Sequence, residues 1–307
     1  MNKFCELFKL SYPIIQAGMV WCSGAKLAAA SVNEGIIGTI GAGSMNKELL
    51  DQQILRAQEL IENNDHLLAV NFPLLYRDIE AQLKIALDRG VKIFITSAGS
   101  PNKFTKLLKA EGRMVIHVCS SALLAKKCED AGVDSVVAEG FEAGGHNGRN
   151  ETTTMVLIPQ VVDAVKIPVI AAGGIAGVRQ IKAAHALGAS AVQIGSRFVA
   201  TIESSAHENF KRSIVNASPG MTKLLMKKYI PVRLLDNDFA RSVTELEDKG
   251  ASKEELIEIL GKNRAKNGML HGDLSSGELE IGQVSAMINN IMSVKQLVTQ
   301  LKSAYSH

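Results

Sequence analysis

The chain has 307 residues, of which 46% are hydrophobic and 21% are charged, so it can bury a large core. Its formal net charge of +3 is too small to favour nucleic acid or an anionic membrane surface as a partner. No apolar stretch approaches the ~18 residues needed to span a bilayer, and the start of the chain lacks the apolar run of a secretion signal. The four cysteines have no metal-binding spacing. We therefore expect reduced thiols and a cytoplasmic protein.

Short apolar runs recur along the first two thirds of the chain, and each is followed by an amphipathic stretch. Their continuous apolarity, without alternation, is typical of strands that are buried on both faces of a parallel sheet. Eight strand–helix units predict a closed (β/α)8 barrel, also called a TIM barrel. An open doubly wound sheet is the alternative, although it commonly has fewer strands. The predicted strands begin at Pro13, Ile36, Leu67, Val91, Arg113, Ser135, Pro168 and Ala191.

The pattern changes after the eighth predicted strand. Between about Glu208 and Gly282 we predict helices only, for example in "MTKLLMKKYI" (221–230). This segment is expected to form a helical cap, inserted after strand 8. The last stretch, 282–305, is predicted to be one long amphipathic helix that returns to the barrel. The predicted domains are therefore a barrel (1–207 plus 283–307) and a cap (208–282).

Barrel enzymes carry their active sites at the carboxyl ends of the strands. Two neighbouring strand ends, "AAGGIAG" and "IGSRF", offer exposed main-chain N–H groups, and barrels usually bind a phosphate at that corner. We therefore predict a phosphate cradle of Gly173, Gly174, Gly195 and Ser196, with the alternative that these glycines only form turns. The other strand ends supply candidate cofactor residues at Gly18, Met19, Asn71, Ser97 and Glu139.

The phosphate could belong to a sugar phosphate or to flavin mononucleotide (FMN). Asn71 and Gln16 offer amides that suit ribityl hydroxyls or ring edges, and Gly18 and Met19 offer main chain that can lie flat against a planar ring. No lysine follows a predicted strand as a Schiff-base candidate, and no acidic or histidine cluster has metal spacing. No metal site is therefore predicted, and "GTIGAG" (38–43) has the wrong spacing for a dinucleotide fold.

Several segments resemble the FMN-dependent enoyl-acyl-carrier-protein reductase II / nitronate monooxygenase family. They are "YPIIQAGMVW", "EGFEAGGHNG", "PVIAAGGI" and "AVQIGSRFVATIESSAH", while "HGDLSSGELEIGQVSAMI" resembles the reductase branch. The resemblance covers nearly the whole chain and implies FMN at the barrel mouth, with a cap that shapes the substrate channel. It also implies that His146 is the active-site histidine and that Gly145 lets its loop approach the flavin. Ala17, Ile36 and Ile37 depart from the family pattern, but none of them carries a reactive group.

Two activities follow from the resemblance. The first is reduction of the trans-2 double bond of enoyl-acyl carrier protein (ACP) by NADPH or NADH, with hydride from flavin N5. The second is oxidation of alkyl nitronates with FMN and O2, and a non-catalytic flavin-binding protein is a third reading. In the first two His146 would handle a proton, because its ordinary pKa of about 6.5 lies near working pH. Alternatively, His146 is a loop residue bonded to a main-chain carbonyl.

The resemblance also bears on partners. It implies an ACP thioester as substrate, a homodimer, and a monovalent cation near the cap that the sequence does not place. Nucleic acid and membrane are not expected. A basic set in the cap would suit acidic ACP, although such a set is usually a solvated helix face. It consists of Lys211, Arg212, Lys223, Lys227, Lys228 and Arg233.

Overall fold

The computed structural model describes residues 2–75 and 78–306. Its strands are β1 (Ile14–Gln16), β2 (Ile37–Gly41), β3 (Leu68–Pro73), β4 (Ile93–Ser97), β5 (Met114–Cys119), β6 (Ser135–Glu139), β7 (Gly145–His146), β8 (Val169–Ala172), β9 (Ala191–Ile194), β10 (Thr222–Leu225) and β11 (Val232–Leu235). Its helices are α1 (Lys3–Phe8), α2 (Ala25–Asn33), α3 (Lys47–Leu60), α4 (Ile79–Asp88), α5 (Thr105–Ala110), α6 (Ala122–Asp130), α7 (Thr154–Ala164), α8 (Val178–Ala186), α9 (Ser196–Val199), α10 (Glu208–Val215), α11 (Asp238–Asp248), α12 (Lys253–Leu260) and α13 (Val294–Lys302).

Eight parallel strands close into a barrel in the order β1-β2-β3-β4-β5-β6-β8-β9. Closure comes from β9, which pairs in parallel with β1, so that Gln193 lies opposite Ile15. All eight predicted strands are confirmed, and the closed barrel is confirmed over the open sheet. The core fills the barrel and the layer beneath the helices, and its largest fully buried side chains include Phe4, Phe72, Phe94, Ile14 and Ile40.

Close packing between a strand and its outer helix requires one small residue in β2. A Cβ atom on Gly38 would overlap the carbonyl group of Ala28 in α2. Gly38 therefore faces outward against that helix. Because side chains alternate along a strand, Thr39 faces the barrel interior.

The cap segment (residues 208–282) is not purely helical, so that part of the sequence prediction is wrong. Strands β10 and β11 form an antiparallel hairpin, and β11 also pairs with β7 from the barrel's sixth loop. The stretch predicted as a helix at 221–230 contains β10. Its leucines and lysines are compatible with either periodicity, but the hairpin buries β11 completely on a small apolar core. That core includes Leu225, Val232, Leu234, Phe239, Val243 and Leu256.

The carboxyl-terminal stretch is also not one continuous helix. A short 3-10 turn spans Gln283–Met287, and α13 begins only at Val294 after an extended segment. Ser293 and Gln296 form a capping box that starts α13. The return to the barrel is confirmed, since α13 packs against α2 and α8 through Leu297 and Leu301. No helix among the described residues has the length and apolarity to cross a membrane.

Candidate active site

The inner face of the barrel gathers several predicted side chains at one end. The strand registers put Asn71, Ser97, Glu139 and Gln193 on the same face of the sheet as Thr39. Since Thr39 faces the interior, these four side chains line the upper part of the barrel. Asn71, Ser97 and Glu139 are half-buried rather than fully enclosed. The barrel mouth is therefore a polar, accessible surface above an apolar interior.

The loop after β1 crosses this mouth. A Cβ atom on Gly18 would lie 2.5 Å from the Cβ atom of Asn71, so the main chain at Gly18 packs directly on that side chain. The Met19 sulfur lies on the opposite side, 3.5 Å from the position of a Cβ atom on Gly195. The Met19 N–H donates to Ser23 Oγ at 2.7 Å and fixes the turn. Gly18 and Met19 thus lie over the mouth, between β3 and β9.

The predicted phosphate cradle is assembled at the ends of β8 and β9. Gly173 and Gly174 have φ angles of +86° and +71°, which favour glycine. Among the described residues, the N–H groups of Gly174 and Gly195 donate to no main-chain acceptor. Ser196 Oγ accepts a 3.0 Å hydrogen bond from the N–H of Gly282, so the end of the cap segment reaches this corner.

Two buried polar atoms at the mouth lack protein partners among the described residues: Gln193 Oε1 and Thr39 Oγ1. Buried polar atoms are normally hydrogen-bonded, so an unpaired one indicates a partner of another kind. A phosphorylated, hydroxyl-rich nucleotide would offer donors to these atoms and acceptors to the free N–H groups of Gly174 and Gly195. The residues present therefore fit the FMN that the resemblance implies.

The Gly173 corner is tied to the loop after β6. The carboxylate of Glu142 accepts from the main-chain N–H and the hydroxyl of Thr154, both at 2.9 Å. Thr154 Oγ1 is also 3.0 Å from the carbonyl oxygen of Gly173. The amino terminus of α7 thus provides the hydrogen bonds that stabilise the negative charge of Glu142. This carboxylate therefore supports the Gly173 corner and does not occupy the predicted phosphate cradle.

Glu139 ends β6 and faces the mouth. Burial raises the pKa of this carboxyl from its ordinary value of 4.5 to about 7. The group therefore holds its proton up to near-neutral pH and can act as a hydrogen-bond donor there.

His146 lies at the edge of the cap sheet. Its main chain belongs to β7 and pairs with Val232 of β11, while its side chain is exposed. Partial exclusion of water lowers the pKa of the imidazole, and the nearby charge of Glu278 opposes that shift. The alternative of a bond to a main-chain carbonyl is not observed among the described residues. Gly145 is buried beside it, paired with Arg233, so it belongs to the cap sheet rather than to a barrel strand end.

Sequence reasoning missed two acidic residues in this site, Glu278 and Glu280. Glu280 Oε2 is 2.5 Å from the position of a Cβ atom on Gly145. Glu278 is only 7% exposed, although it is a carboxylic acid. Burial raises the pKa of both carboxyls, and their mutual repulsion adds to the shift of Glu278. The strict Glu-Leu-Glu-Ile alternation at 278–281 was the available signal, since it is typical of an extended segment with one apolar face.

The fold and the site define a class of protein. A closed parallel barrel that gathers amide, carboxyl and imidazole groups around glycine-lined loop corners is typical of a barrel enzyme with a phosphorylated cofactor. The chain belongs to the nitronate monooxygenase family, whose family model matches residues 2–303. It is therefore an oxidoreductase, and the resemblance seen in the sequence is confirmed.

Relatives with known names support both branches of the resemblance. A probable nitronate monooxygenase of Bacillus subtilis (strain 168) is 31% identical, over 98% of each chain. The solved structure of FabK from Thermotoga maritima is 37% identical, with a TM-score of 0.93, over 99% of this chain and 96% of that one. The nitroalkane oxidase from Streptomyces ansochromogenes is 28% identical, with a TM-score of 0.86, over 97% of each chain.

Proposed function

We propose that the protein is an FMN-dependent enoyl-ACP reductase, which uses NADPH or NADH to reduce the trans-2 double bond of an acyl thioester. The observation that carries this proposal is the similarity to FabK over 99% of the chain, with 37% identity and a TM-score of 0.93. Two buried carboxyl groups add to it, because Glu280 lies against Gly145 and the charge of Glu278 acts on His146. A substrate for such a site has to be neutral where it meets these groups.

The charge of the substrate separates the two candidate activities. A nitronate is an anion, whereas the enoyl thioester is neutral. Glu139, Glu278 and Glu280 lose protons near and above neutral pH, because burial has raised their pKa values. Placing an anion among partly ionised carboxylates in a region of low dielectric is unfavourable. Above about pH 8, where these carboxyls are ionised, the site therefore disfavours an anionic substrate, and this supports the neutral thioester.

FMN, when bound, would supply the hydride at flavin N5. The phosphate would be held by the main-chain N–H groups of Gly174 and Gly195, with Gly173 and Ser196 shaping the corner. Asn71, Ser97, Glu139 and Gln193 would meet the ribityl chain or the ring edge, and Gly18 and Met19 would cover one face. His146 would deliver a proton to the substrate carbon next to the thioester carbonyl, and such proton transfer typically contributes about 10²–10⁴-fold to the rate.

The proposed ACP partner rests on fewer basic residues than the sequence indicates. Lys211 and Arg233 are buried, and Arg233 donates twice to the carbonyl of Phe141. Lys227 pairs with Glu151 at 2.6 Å. Lys223 pairs with Asp236 at 3.5 Å, and Lys228 donates to the carbonyls of Gly250 and Ala251. Arg212 on α10 is exposed and makes no ion pair among the described residues, so it is the residue to test. Its charge reversal, Arg212→Glu, should raise KM for an ACP-linked substrate and leave KM for a short thioester unchanged, and equal effects on both would contradict the ACP contact.

Nitronate oxidation is the second candidate, because the family model and the Bacillus subtilis relative carry that name. In that case His146 would act as a base or as a partner for the anion, and no nicotinamide would be needed.

Anaerobic stopped-flow absorbance decides between the two. We expect NADPH or NADH to bleach the visible flavin band quickly and crotonyl thioester to restore it. If propyl nitronate bleaches the flavin band and neither nicotinamide does, the result would favour nitronate oxidation. A colourless protein that does not take up FMN on reconstitution would contradict both.

A further inference from the structure

We infer that Arg233 positions His146, because it holds both ends of the loop of residues 141–145 that leads from the barrel mouth to the imidazole. Arg233 lies on β11 of the cap and acts through this loop, so it is a positioning residue and not a catalytic one. The delivery of a proton by His146 rests on the proposed function, but the hold of Arg233 on the loop does not.

The side chain of Arg233 binds the start of the loop. Its Nε and Nη2 atoms donate to the carbonyl of Phe141 at 3.1 and 2.9 Å, and its Nη1 atom donates to Thr222 Oγ1 at 3.3 Å. The guanidinium also lies over the Phe141 ring, with Cζ 4.6 Å from the ring centroid. Only a planar group with several fixed donors makes all of these contacts at once, so a lysine ammonium does not replace it.

The main chain of Arg233 binds the other end of the loop. Arg233 lies opposite Gly145 in the antiparallel pairing of β11 with β7, and Val232 lies opposite His146. Directly after the histidine, the N–H of Asn147 donates to the carbonyl of Pro231 at 2.9 Å. The side chain and the main chain of one residue therefore fix where the loop starts and where it ends.

The middle of the loop is closed by contacts of its own. Asn147 Nδ2 donates to the carbonyls of Ala143 and Gly145 at 2.9 and 3.1 Å. Gly144 packs on the end of the cap segment, where a Cβ atom added to it would lie 2.5 Å from the main-chain nitrogen of Gly282. Once its two ends are held, the loop therefore has little freedom to move the imidazole.

The guanidinium is buried without an ion pair. Arg233 is 2% exposed and forms no ion pair among the described residues. The charges of Glu142 and Glu151 act on it from farther away, and both carboxylates have closer partners, at the amino terminus of α7 and on Lys227. A buried charge is unfavourable unless hydrogen bonds replace its lost water. The loop carbonyl supplies two of these bonds, so the loop and the guanidinium stabilise each other.

The first test replaces the planar group and keeps the charge. In the holoenzyme, Arg233→Lys should lower kcat for an enoyl thioester about tenfold and leave KM unchanged, because a displaced imidazole slows proton transfer without weakening binding. FMN affinity should also stay, since Glu142 and Thr154 still hold the phosphate corner. Arg241→Lys, at an exposed, ion-paired position of α11, is the matched control and should change nothing. An equal loss in both variants, or a raised KM with normal kcat, would overturn the proposal.

The second test gives a result that lost stability alone would not give. In Arg233→Ala, guanidinium ion at millimolar concentration should occupy the vacated space and restore kcat, whereas methylammonium at the same concentration should not. Equal rescue by the two ions, or no rescue by either, would overturn the role of the planar group. Where Arg233→Ala does not fold, the comparison of Arg233→Lys with Arg241→Lys decides.

Amide hydrogen exchange of the holoenzyme tests the hold on the loop without substrate or nicotinamide. The N–H of Asn147 should exchange about tenfold faster in Arg233→Lys than in the wild type or in Arg241→Lys, because the strand pairing beside it opens more often. Unchanged exchange would overturn the proposal. A wild-type protein that does not reduce an enoyl thioester, with the faster exchange of the variant intact, would contradict only the proposed function.

Discussion

The carboxylate of Glu280 lies against the α-carbon of Gly145. Its Oε2 atom is 2.5 Å from the position that a Cβ atom would occupy, and Gly145 itself has a φ angle of +74°. Glycine is therefore needed here for two separate reasons, the backbone conformation and the space taken by the carboxylate. Both reasons act on the residue that precedes His146.

The first prediction separates these two reasons. Gly145→Ala should lower the free energy of unfolding by about 2–4 kcal/mol, since it combines an unfavourable φ angle with a steric overlap. Gly250→Ala is the control, because its φ angle is +83° and nothing lies within 4 Å of an added Cβ. It should cost only about 1 kcal/mol. Urea unfolding measures both, and equal losses would show that Glu280 does not occupy the position described.

The second prediction tests the phosphate corner. A Cβ atom on Gly195 would make ordinary contact with Met19 at 3.5 Å, so Gly195→Ala should fold with nearly unchanged stability. The added methyl group should nevertheless weaken FMN binding about tenfold, because the main-chain N–H can no longer approach a phosphate closely. Fluorescence titration with FMN measures the affinity. Unchanged affinity in a stable variant would place the phosphate elsewhere.

The third prediction concerns Glu139 and pH. In the folded protein the Glu139 carboxyl keeps its proton up to about pH 7, whereas in the unfolded chain it releases the proton near pH 4.5. The folded state therefore binds more protons in this window, and stability falls as pH rises through it. Glu139→Gln should remove this loss and stabilise the flavin-free protein at pH 8 by about 2 kcal/mol, with little change at pH 4.5. If the free energy of unfolding changes with pH in the same way for the variant and the wild type, that result would be evidence against the burial of this carboxyl.

The fourth prediction concerns His146 itself. Its side chain is exposed, so His146→Ala should keep the flavin and the thermal stability but slow turnover of an enoyl thioester about hundredfold. His185→Ala should lower the thermal stability and leave the turnover of the folded protein unchanged, because His185 bonds the carbonyl of Ala189 and the hydroxyl of Tyr305. Steady-state kinetics and thermal melts give both results. Normal turnover in His146→Ala would remove this residue from proton transfer.

The barrel could be predicted from the sequence because burial on both faces leaves a simple signal. Eight continuous apolar runs correspond to the eight barrel strands, and their ends correspond to the mouth. The cap strands could not be predicted in the same way. β10 contains Lys223, and β11 contains Arg233, whose buried guanidinium bonds the Phe141 carbonyl. From sequence alone, a charged residue inside a short apolar run indicates a solvated helix. The sequence does not show that the carbonyl of Phe141, far away in the chain, accepts hydrogen bonds from Arg233 and allows it to be buried in a strand.

Contacts between residues far apart in the chain also explain why the sequence predicted only part of the site. Asn71 and Glu139 lie near the carboxyl ends of β3 and β6, and Gly18 and the glycine corners come after strands, so strand prediction places them together. Glu278 and Glu280 come from the far end of the chain. Their segment is brought beside the loop of His146 by the bridge between Glu280 and Leu234 and by the hydrogen bond from the N–H of Leu235 to the carbonyl of Leu279.

The three-stranded cap sheet has a consequence for chimaeric enzymes. Since β7 is the edge strand against β11, the histidine loop is scaffolded by the hairpin that follows the barrel. A hairpin transplanted from a relative must offer main-chain groups in the same register to Gly145 and His146. A graft that misses this register should still bind flavin in the barrel, but the imidazole would no longer be held in one position. The grafted segment therefore has to include the donor's own histidine loop.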